Sequence, residues 1–274
     1  MLGHRARCAH RASRPLNRRD VLIMRRLICY ATICLAVLVA GTSAKAAEFN
    51  DEQRNEIGSI VRKYLLNNPE LLREVLQELE KKEAADGSAK QKVSIKENAD
   101  QIFRSSLDLV AGNPNGKVTM VEFFDYNCGY CKRAMPDVMR MVEEDKDLKL
   151  VMKEFPILGP GSLVAAKAAL ASKKQGKYLD FHLALLGHEG HVEAASVMEI
   201  AKSVGLDLAK LKTDMESEEV GIVLEANMSL GQKLGIQGTP AFIVDETIIP
   251  GAIGYEGLAA SVKQVRDQGG CKVC

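Results

Sequence analysis

Cys128-Gly129-Tyr130-Cys131 places two thiols one helical turn apart, directly after the apolar run Val118–Phe124 and at the start of an amphipathic segment reaching past Met141. That position is a strand-to-helix junction. A thiol at a helix N-terminus meets unsatisfied backbone N–H groups and the positive end of the helix dipole, both of which favour thiolate. Cys128 is therefore expected to titrate below the ordinary thiol value and to act as nucleophile. Cys131, a turn further in, is placed to resolve the mixed disulfide that Cys128 forms. The pair itself, as a redox-active disulfide, would serve in place of any added cofactor. A zinc site would need two more ligands, and the C-terminal cysteines that could supply them stand 140 residues away.

Of the seven cysteines, Cys8, Cys29 and Cys34 fall in the N-terminal head, and the last two form a second pair, Cys271-Lys272-Val273-Cys274, behind Gly269-Gly270. Read alone, a flexible dithiol there suits Cu(I), a relay to the first pair, or a local disulfide without function. Cys271 and Cys274 are weak metal candidates, and no metal is expected at the catalytic pair. Glu122, the one charged residue of the apolar run 118–124, is either a buried proton shuttle for Cys131 or a strand-end group facing solvent. Thr239-Pro240 leads into a short strand. His188-x-x-His191 lies in a glycine-containing loop with no nearby ligands, and Met135 and Met139 read as core.

The elements that must hold these residues are legible from periodicity. Segments 118–124 and 148–154 read as central strands, 241–244 and 247–249 as an antiparallel pair, and 255–265 as a closing helix. Helical stretches 165–170, 178–186, 197–204 and 220–234 fill the middle, with Gly235 as a left-handed helix stop. Upstream, Asn50 with Gln53 forms a capping pattern. Ile57, Ile60, Val61, Tyr64 and Leu65 make one apolar stripe, and Leu71, Leu72, Val75, Leu76 and Leu79 a second, with Asn68 capping and Pro69 restarting the helix. Two such stripes must pack either on the catalytic domain or on copies of themselves, and residues 47–83 are expected to be a helical oligomerisation segment. Residues 84–97, polar and containing Asp86-Gly87-Ser88, read as a linker or weak helix; 98–267 is the catalytic domain, with a helical insertion at about 160–235; 268–274 is a flexible tail.

The chain has 274 residues, 46% hydrophobic, with net charge +1. Residues 1–46 hold nine Lys/Arg and one acid, so the remainder carries 28 basic against 35 acidic residues, net −7. Such a body is a poor nucleic-acid binder. Arg25-Arg26, the apolar run 27–39 and Ala44-Lys45-Ala46 read as a cleaved signal peptide spanning 1–46, with Met24 the more natural start. The apolar run is shorter than the ~20 residues that span a bilayer. Export places the cysteines where disulfides persist.

The motif Phe123-Phe124-Asp125-Tyr126-Asn127-Cys128-Gly129-Tyr130-Cys131-Lys132, followed by Gly238-Thr239-Pro240-Ala241, resembles the DsbA-like thiol–disulfide oxidoreductases over about residues 100–267. Within them the ScsC group is most similar, with its Cys-Gly-Tyr-Cys site and leucine-rich N-terminal helices. The resemblance implies an α/β, thioredoxin-like fold with an all-helical insertion, preceded by an N-terminal helical oligomerisation segment. It implies that Pro240 is cis beside Cys128 and that the Thr239 backbone, with Pro240, Gly129 and Tyr130, meets substrate. It matches Glu122 to the family's buried acid, and it points to a homotrimer. Tyr130 stands where the strongest oxidases carry His, which favours isomerase or reductase activity on cysteine-containing exported proteins, with a membrane redox partner resetting the site. The alternative is a copper-tolerance protein that uses its cysteine pairs as Cu(I) ligands.

Overall fold

The computed structural model of the protein describes residues 49–274; the expected signal segment lies outside them. The chain divides into two units, one ending at Glu74 and the other running from Val75 to Cys274.

In the first unit, α1 (Asp51–Asn67) opens with a reciprocal capping box. The Asn50 side chain accepts from the Gln53 amide at 2.8 Å, and Gln53 accepts from the Asn50 amide at 3.0 Å. Asn68 differs from the sequence expectation, because its side chain donates back to the Tyr64 carbonyl at 2.7 Å and so closes α1 instead of capping the next helix. Pro69 starts α2 (Pro69–Glu97), where its missing N–H costs nothing. Ile57, Ile60, Val61, Tyr64 and Leu72 are exposed.

In the second unit, α2 continues without a break to Glu97, so the linker expected over 84–97 is helix. The physical reason is that Gly87 costs only about 1 kcal/mol relative to Ala. Ala84, Ala85, Ala89, Lys90, Gln91 and Lys92 around it are good helix formers, and no proline interrupts them. The end of the helix is also anchored. Ile95 is fully buried, Ser94 Oγ donates to the Lys233 carbonyl at 3.0 Å, and Lys96 pairs with Glu246 at 2.8 Å. A short helix α3 (Ala99–Phe103) follows, and the sheet then begins with β1 (Leu109–Gly112).

Five strands form one mixed sheet in the order β1-β3-β2-β4-β5. The central strand β2 (Val118–Phe124) runs parallel to β3 (Leu148–Glu154) and antiparallel to β4 (Ala241–Val244). β1 and β5 (Thr247–Pro250) are antiparallel edges. All seven β2 residues are buried, as a strand covered on both faces requires. Alternation sorts them: Met120 and Phe124 pack with α4 (Gly129–Glu144) and α10 (Gly254–Asp267), while Val121 and Phe123 pack with Ile95, Ile102, Phe103 and Leu230 on the opposite face. Each such side chain contributes about 1.5–3 kcal/mol by leaving water.

Between β3 and β4 stand α5 (Pro160–Ser172), α6 (Tyr178–Gly187), α7 (Ala194–Ser203), α8 (Leu208–Met215) and α9 (Glu218–Lys233). Gly235 ends this block at φ +69°, the left-handed stop its position called for. In α9, Gly231 lies against the Phe155 ring, where any Cβ would clash.

The C-terminal segment is docked, which corrects the flexible tail expected over 268–274. Gly269 and Gly270 adopt φ +94° and +101°, turning the chain back toward the sheet. Arg104 Nη1 then donates to the Val273 carbonyl at 2.7 Å. Cys271 packs against one core cluster, and Val273 and Cys274 against the other.

Candidate active site

The helix α4 begins as its sequence dictates, with Cys128 in the N-cap position. There the sulfur takes the place of a capping oxygen and accepts the Cys131 N–H at 3.4 Å. A hydrogen bond from the Cys131 thiol lowers the Cys128 pKa to about 5. Burial opposes this, while hydrogen bonding from the Thr239 side chain and from the Cys131 and Tyr130 amides adds to it. The same pairing, with burial, pushes the Cys131 thiol far up. One sulfur is thus an anion at neutral pH and the other keeps its proton. That division suits an attacking and a resolving thiol.

Thr239 and Pro240 come to this site from the turn that leads into β4, Thr239 lying 111 residues along the chain from Cys128. The Cys128 sulfur lies 3.0 Å from the Thr239 carbonyl oxygen, and the Thr239–Pro240 peptide is cis. A cavity of about 650 Å³ opens beside them, lined by Tyr130, Ile236, Thr239, Pro240, Ile248 and Pro250. Tyr130 is 61% exposed, with the Arg133 guanidinium 4.3 Å from its ring centroid. An extended, partly apolar segment can lie there with a sulfur over Cys128. Gly129 adds no side chain at the mouth, and its nearest prospective Cβ neighbour is the flexible Arg133.

Glu122 occupies the β2 face shared by Met120 and Phe124, the face against which α4 packs, so its carboxyl points into the core beneath the two cysteines. It is 3% exposed, and Oε1 has no protein partner. Burial, with the Cys128 charge second, pushes its pKa up to about 8. The solvent-facing reading of Glu122 does not hold.

Several residues that shape the site carried no role in the sequence reading. Asp125, 1% exposed, accepts from the amides of Asn127 (2.7 Å), Ile157 (2.8 Å) and Leu158 (2.9 Å) and from Ser162 Oγ (2.7 Å). It ties the loop before Cys128 to the chain entering α5. Asn127 clasps Val192 through both its backbone groups, at 3.0 and 2.7 Å. Lys132 donates to the His188 and Gly190 carbonyls, each at 2.7 Å, which gives the loop containing His188 and His191 a structural partner. Behind them Glu154 Oε1 accepts from Tyr126 and Tyr178, each at 2.8 Å, and burial raises the Glu154 pKa to about 8. The signal available for these was the polar residue inside an apolar strand or helix, which periodicity flags without naming its partner.

The second cysteine pair lies elsewhere. A disulfide joins Cys271 and Cys274, and Asp245 beside it accepts from the Lys272 and Val273 amides at 2.7 and 3.1 Å.

A family model described as the DSBA-like thioredoxin domain matches residues 119–263. The chain belongs to that family. A second model, the copper resistance protein ScsC N-terminal domain, matches residues 53–86. Among solved structures, a thioredoxin-like oxidoreductase from Silicibacter pomeroyi is 47% identical, covering 61% of this chain and 97% of that one, at a TM-score of 0.60. A linker-deletion mutant of Proteus mirabilis ScsC is 30% identical, covering 82% and 100%, at 0.59. The disulfide bond formation protein D of Bacillus subtilis is 28% identical over 167 residues, 57% of this chain and 75% of that one. The chain also matches the Na(+)/H(+) antiporter NhaA 1 of Salinispora arenicola at 29% identity over 157 residues, 57% of this chain. It spans only 24% of that protein's length. No helix among the described residues is long and apolar enough to cross a membrane. The domain from β2 to α10 is of the DsbA-type thiol–disulfide oxidoreductase class, and α1 with the first part of α2 matches the ScsC N-terminal domain.

Proposed function

We propose that this chain is an exported, periplasmic thiol–disulfide oxidoreductase that exchanges disulfides with cysteine-containing exported proteins through Cys128 and Cys131. The observation that carries the reading is the Cys128 sulfur at the N-cap of α4, held near both the Cys131 amide and the Thr239 carbonyl. The Cys128 thiolate attacks a substrate disulfide, the substrate S–S bond breaks, and one substrate sulfur leaves as thiolate and takes up a proton. With the Cys128 charge consumed in the mixed disulfide, Glu122 ionises more readily; Cys131 then gives its proton to the Glu122 carboxylate and attacks the Cys128 sulfur. This releases the second substrate thiolate and leaves Cys128–Cys131 oxidised. Where a substrate thiolate attacks the mixed disulfide first, the substrate is isomerised and Cys128 returns reduced.

A Cys128 pKa of about 5 lies between the ~7 of thioredoxin and the ~3.5 of the strongest oxidant of this class. That intermediate poise, with Tyr130 in place of His, supports isomerase or reductase activity over strong oxidation. The exposed stripes of α1 and of α2 up to Leu79 support self-association, a homotrimer by analogy with the ScsC group. Several sites facing a common space would hold a misfolded substrate at high effective concentration. Mature protein tested side by side for insulin reduction and for refolding of a scrambled-disulfide substrate decides the matter. Isomerisation that depends on Cys128 supports the reading, and oxidation of reduced substrate as the dominant activity overturns the preference.

A further inference from the structure

The C-terminal disulfide is remote from the catalytic pair. It sits at the Thr119 end of β2, with Cys274 Sγ 3.9 Å from the Thr119 carbonyl, while Cys128 lies past the Phe124 end and beside Thr239. Thr239 and Asp245 are six extended residues apart, about 20 Å at ~3.3 Å per residue. A relay between the two pairs of one docked chain is therefore excluded by reach.

What surrounds this second pair has the layout of a ligand set. Asp245 Oδ1, Cys271 Sγ and Cys274 Sγ all lie within 4.8 Å of one another. Cys271 Sγ is 3.4 Å from Asp245 Oδ1. A thiolate at ~2.3 Å and a carboxylate oxygen at ~2.1 Å from a tetrahedral zinc ion stand about 3.6 Å apart, so this edge already has the right length. The Cys274 amide donates to Cys271 Sγ at 3.2 Å, and the Lys272 and Val273 amides fix the Asp245 carboxylate. Such donors orient ligands and spread their charge. Asp245 is itself 5% exposed and held at φ +51° by the β4–β5 turn, so the carboxylate is preset, not recruited.

Charge argues for a divalent ion. Two thiolates and one carboxylate gathered this closely are strongly unfavourable without a cation. A 2+ ion leaves a single surplus negative charge, faced by Lys272 and Lys92 across a cavity of about 170 Å³ that Asp245 lines. That cavity has room for a water as fourth ligand. The hard carboxylate oxygen next to two soft sulfurs favours Zn(II) over Cu(I), which prefers sulfur alone.

We infer that Cys271, Cys274 and Asp245, once the disulfide is reduced, form a zinc-class divalent-metal site separate from the catalytic cysteines. Two equivalents of a thiol reductant convert the disulfide to two thiols and become a disulfide themselves. The metal ion then displaces the two thiol protons and forms two metal–sulfur bonds. Oxidation and metal binding are exclusive states of the same sulfur pair, and neither depends on what Cys128 does.

The test uses the whole mature chain carrying Cys128→Ser and Cys131→Ser, so that only the C-terminal pair remains. Zn(II) affinity is read by competition with a chromophoric chelator, and Co(II) substitution gives the thiolate charge-transfer and tetrahedral absorption bands. The reduced protein is expected to bind stoichiometrically and the oxidised protein not at all. Cys271→Ser is expected to abolish binding. Asp245→Asn, which keeps an oxygen for both backbone amides and so preserves the turn, is expected to weaken it at least the roughly 10- to 100-fold that loss of even an outer-shell partner costs. Absence of Zn(II) binding in the reduced protein, binding of Cu(I) alone, or an affinity indifferent to Asp245→Asn would overturn the assignment.

Discussion

Glu122→Gln separates what the buried carboxyl does for the fold from what it does for the chemistry, and the two effects have opposite signs. In the unfolded chain a glutamate titrates near 4.5, whereas in the reduced fold Glu122 does so at about 8, through burial first and the Cys128 charge second. Between those values the unfolded state releases its proton while the folded state keeps it, so stability falls as pH rises across the window. At ~1.36 kcal/mol per pH unit the accumulated cost is about 3 kcal/mol at pH 7 and about 5 kcal/mol above pH 8, and zero below 4.5. Gln keeps the volume and removes the titration, and both forms leave a buried polar atom unpartnered, so that cost cancels. With an m-value of about 3 kcal/mol per molar, the reduced variant should unfold about 1 M higher in urea at pH 7 than the parent. The midpoints should coincide at pH 4.5. Resolution of a preformed mixed disulfide by Cys131 should meanwhile slow by ~10²–10³, the worth of a positioned proton acceptor. It should also lose the rise with pH that ionisation of Glu122 gives the parent. Equal pH slopes of stability in the two proteins, or an unchanged resolution rate, would refute the reasoning.

Asp125→Ala strips the acceptor from four donors around the active-site loop and should cost about 3–5 kcal/mol, read as a lower urea midpoint with unchanged Cys128 alkylation chemistry at saturating reagent. Cys131→Ser should accumulate mixed disulfides with substrate, visible by non-reducing electrophoresis, while Cys128→Ser should show none. A chain beginning at Asp86 keeps the Ile95 anchor and the catalytic domain and should scatter light as a monomer, with isomerisation reduced more than insulin reduction. An oligomer of unchanged size would remove the N-terminal helices from the account.

The catalytic junction was readable because local rules agree there: a β-branched and aromatic run, an N-cap position and a turn of helix each point the same way from Val118 to Met141. Glu122 was half readable. Its place in the strand gave burial as one option, but which face it takes depends on register against β3 and β4, which only the folded sheet settles. The edge strand β1 and the helices α3 and α8 escaped because four to eight residues carry too little periodicity. Residues 84–97 misled for a different reason. Gly87 and Ser88 weaken a helix locally, and the burial of Ile95 and the Lys96–Glu246 pair that hold it come from residues about 140–150 positions away. The C-terminal cysteines looked free for the same cause, since Asp245 and Arg104, which fasten them, are distant in sequence.

The central claim is that the fold makes Cys128 the thiolate and Cys131 the reserve thiol. The pH dependence of alkylation of the reduced protein, with the modified cysteine identified by mass spectrometry, measures this directly. A single fast adduct on Cys128 with a midpoint near pH 5 is expected. A midpoint near the ordinary thiol value of ~8.5, or first modification at Cys131, would contradict it.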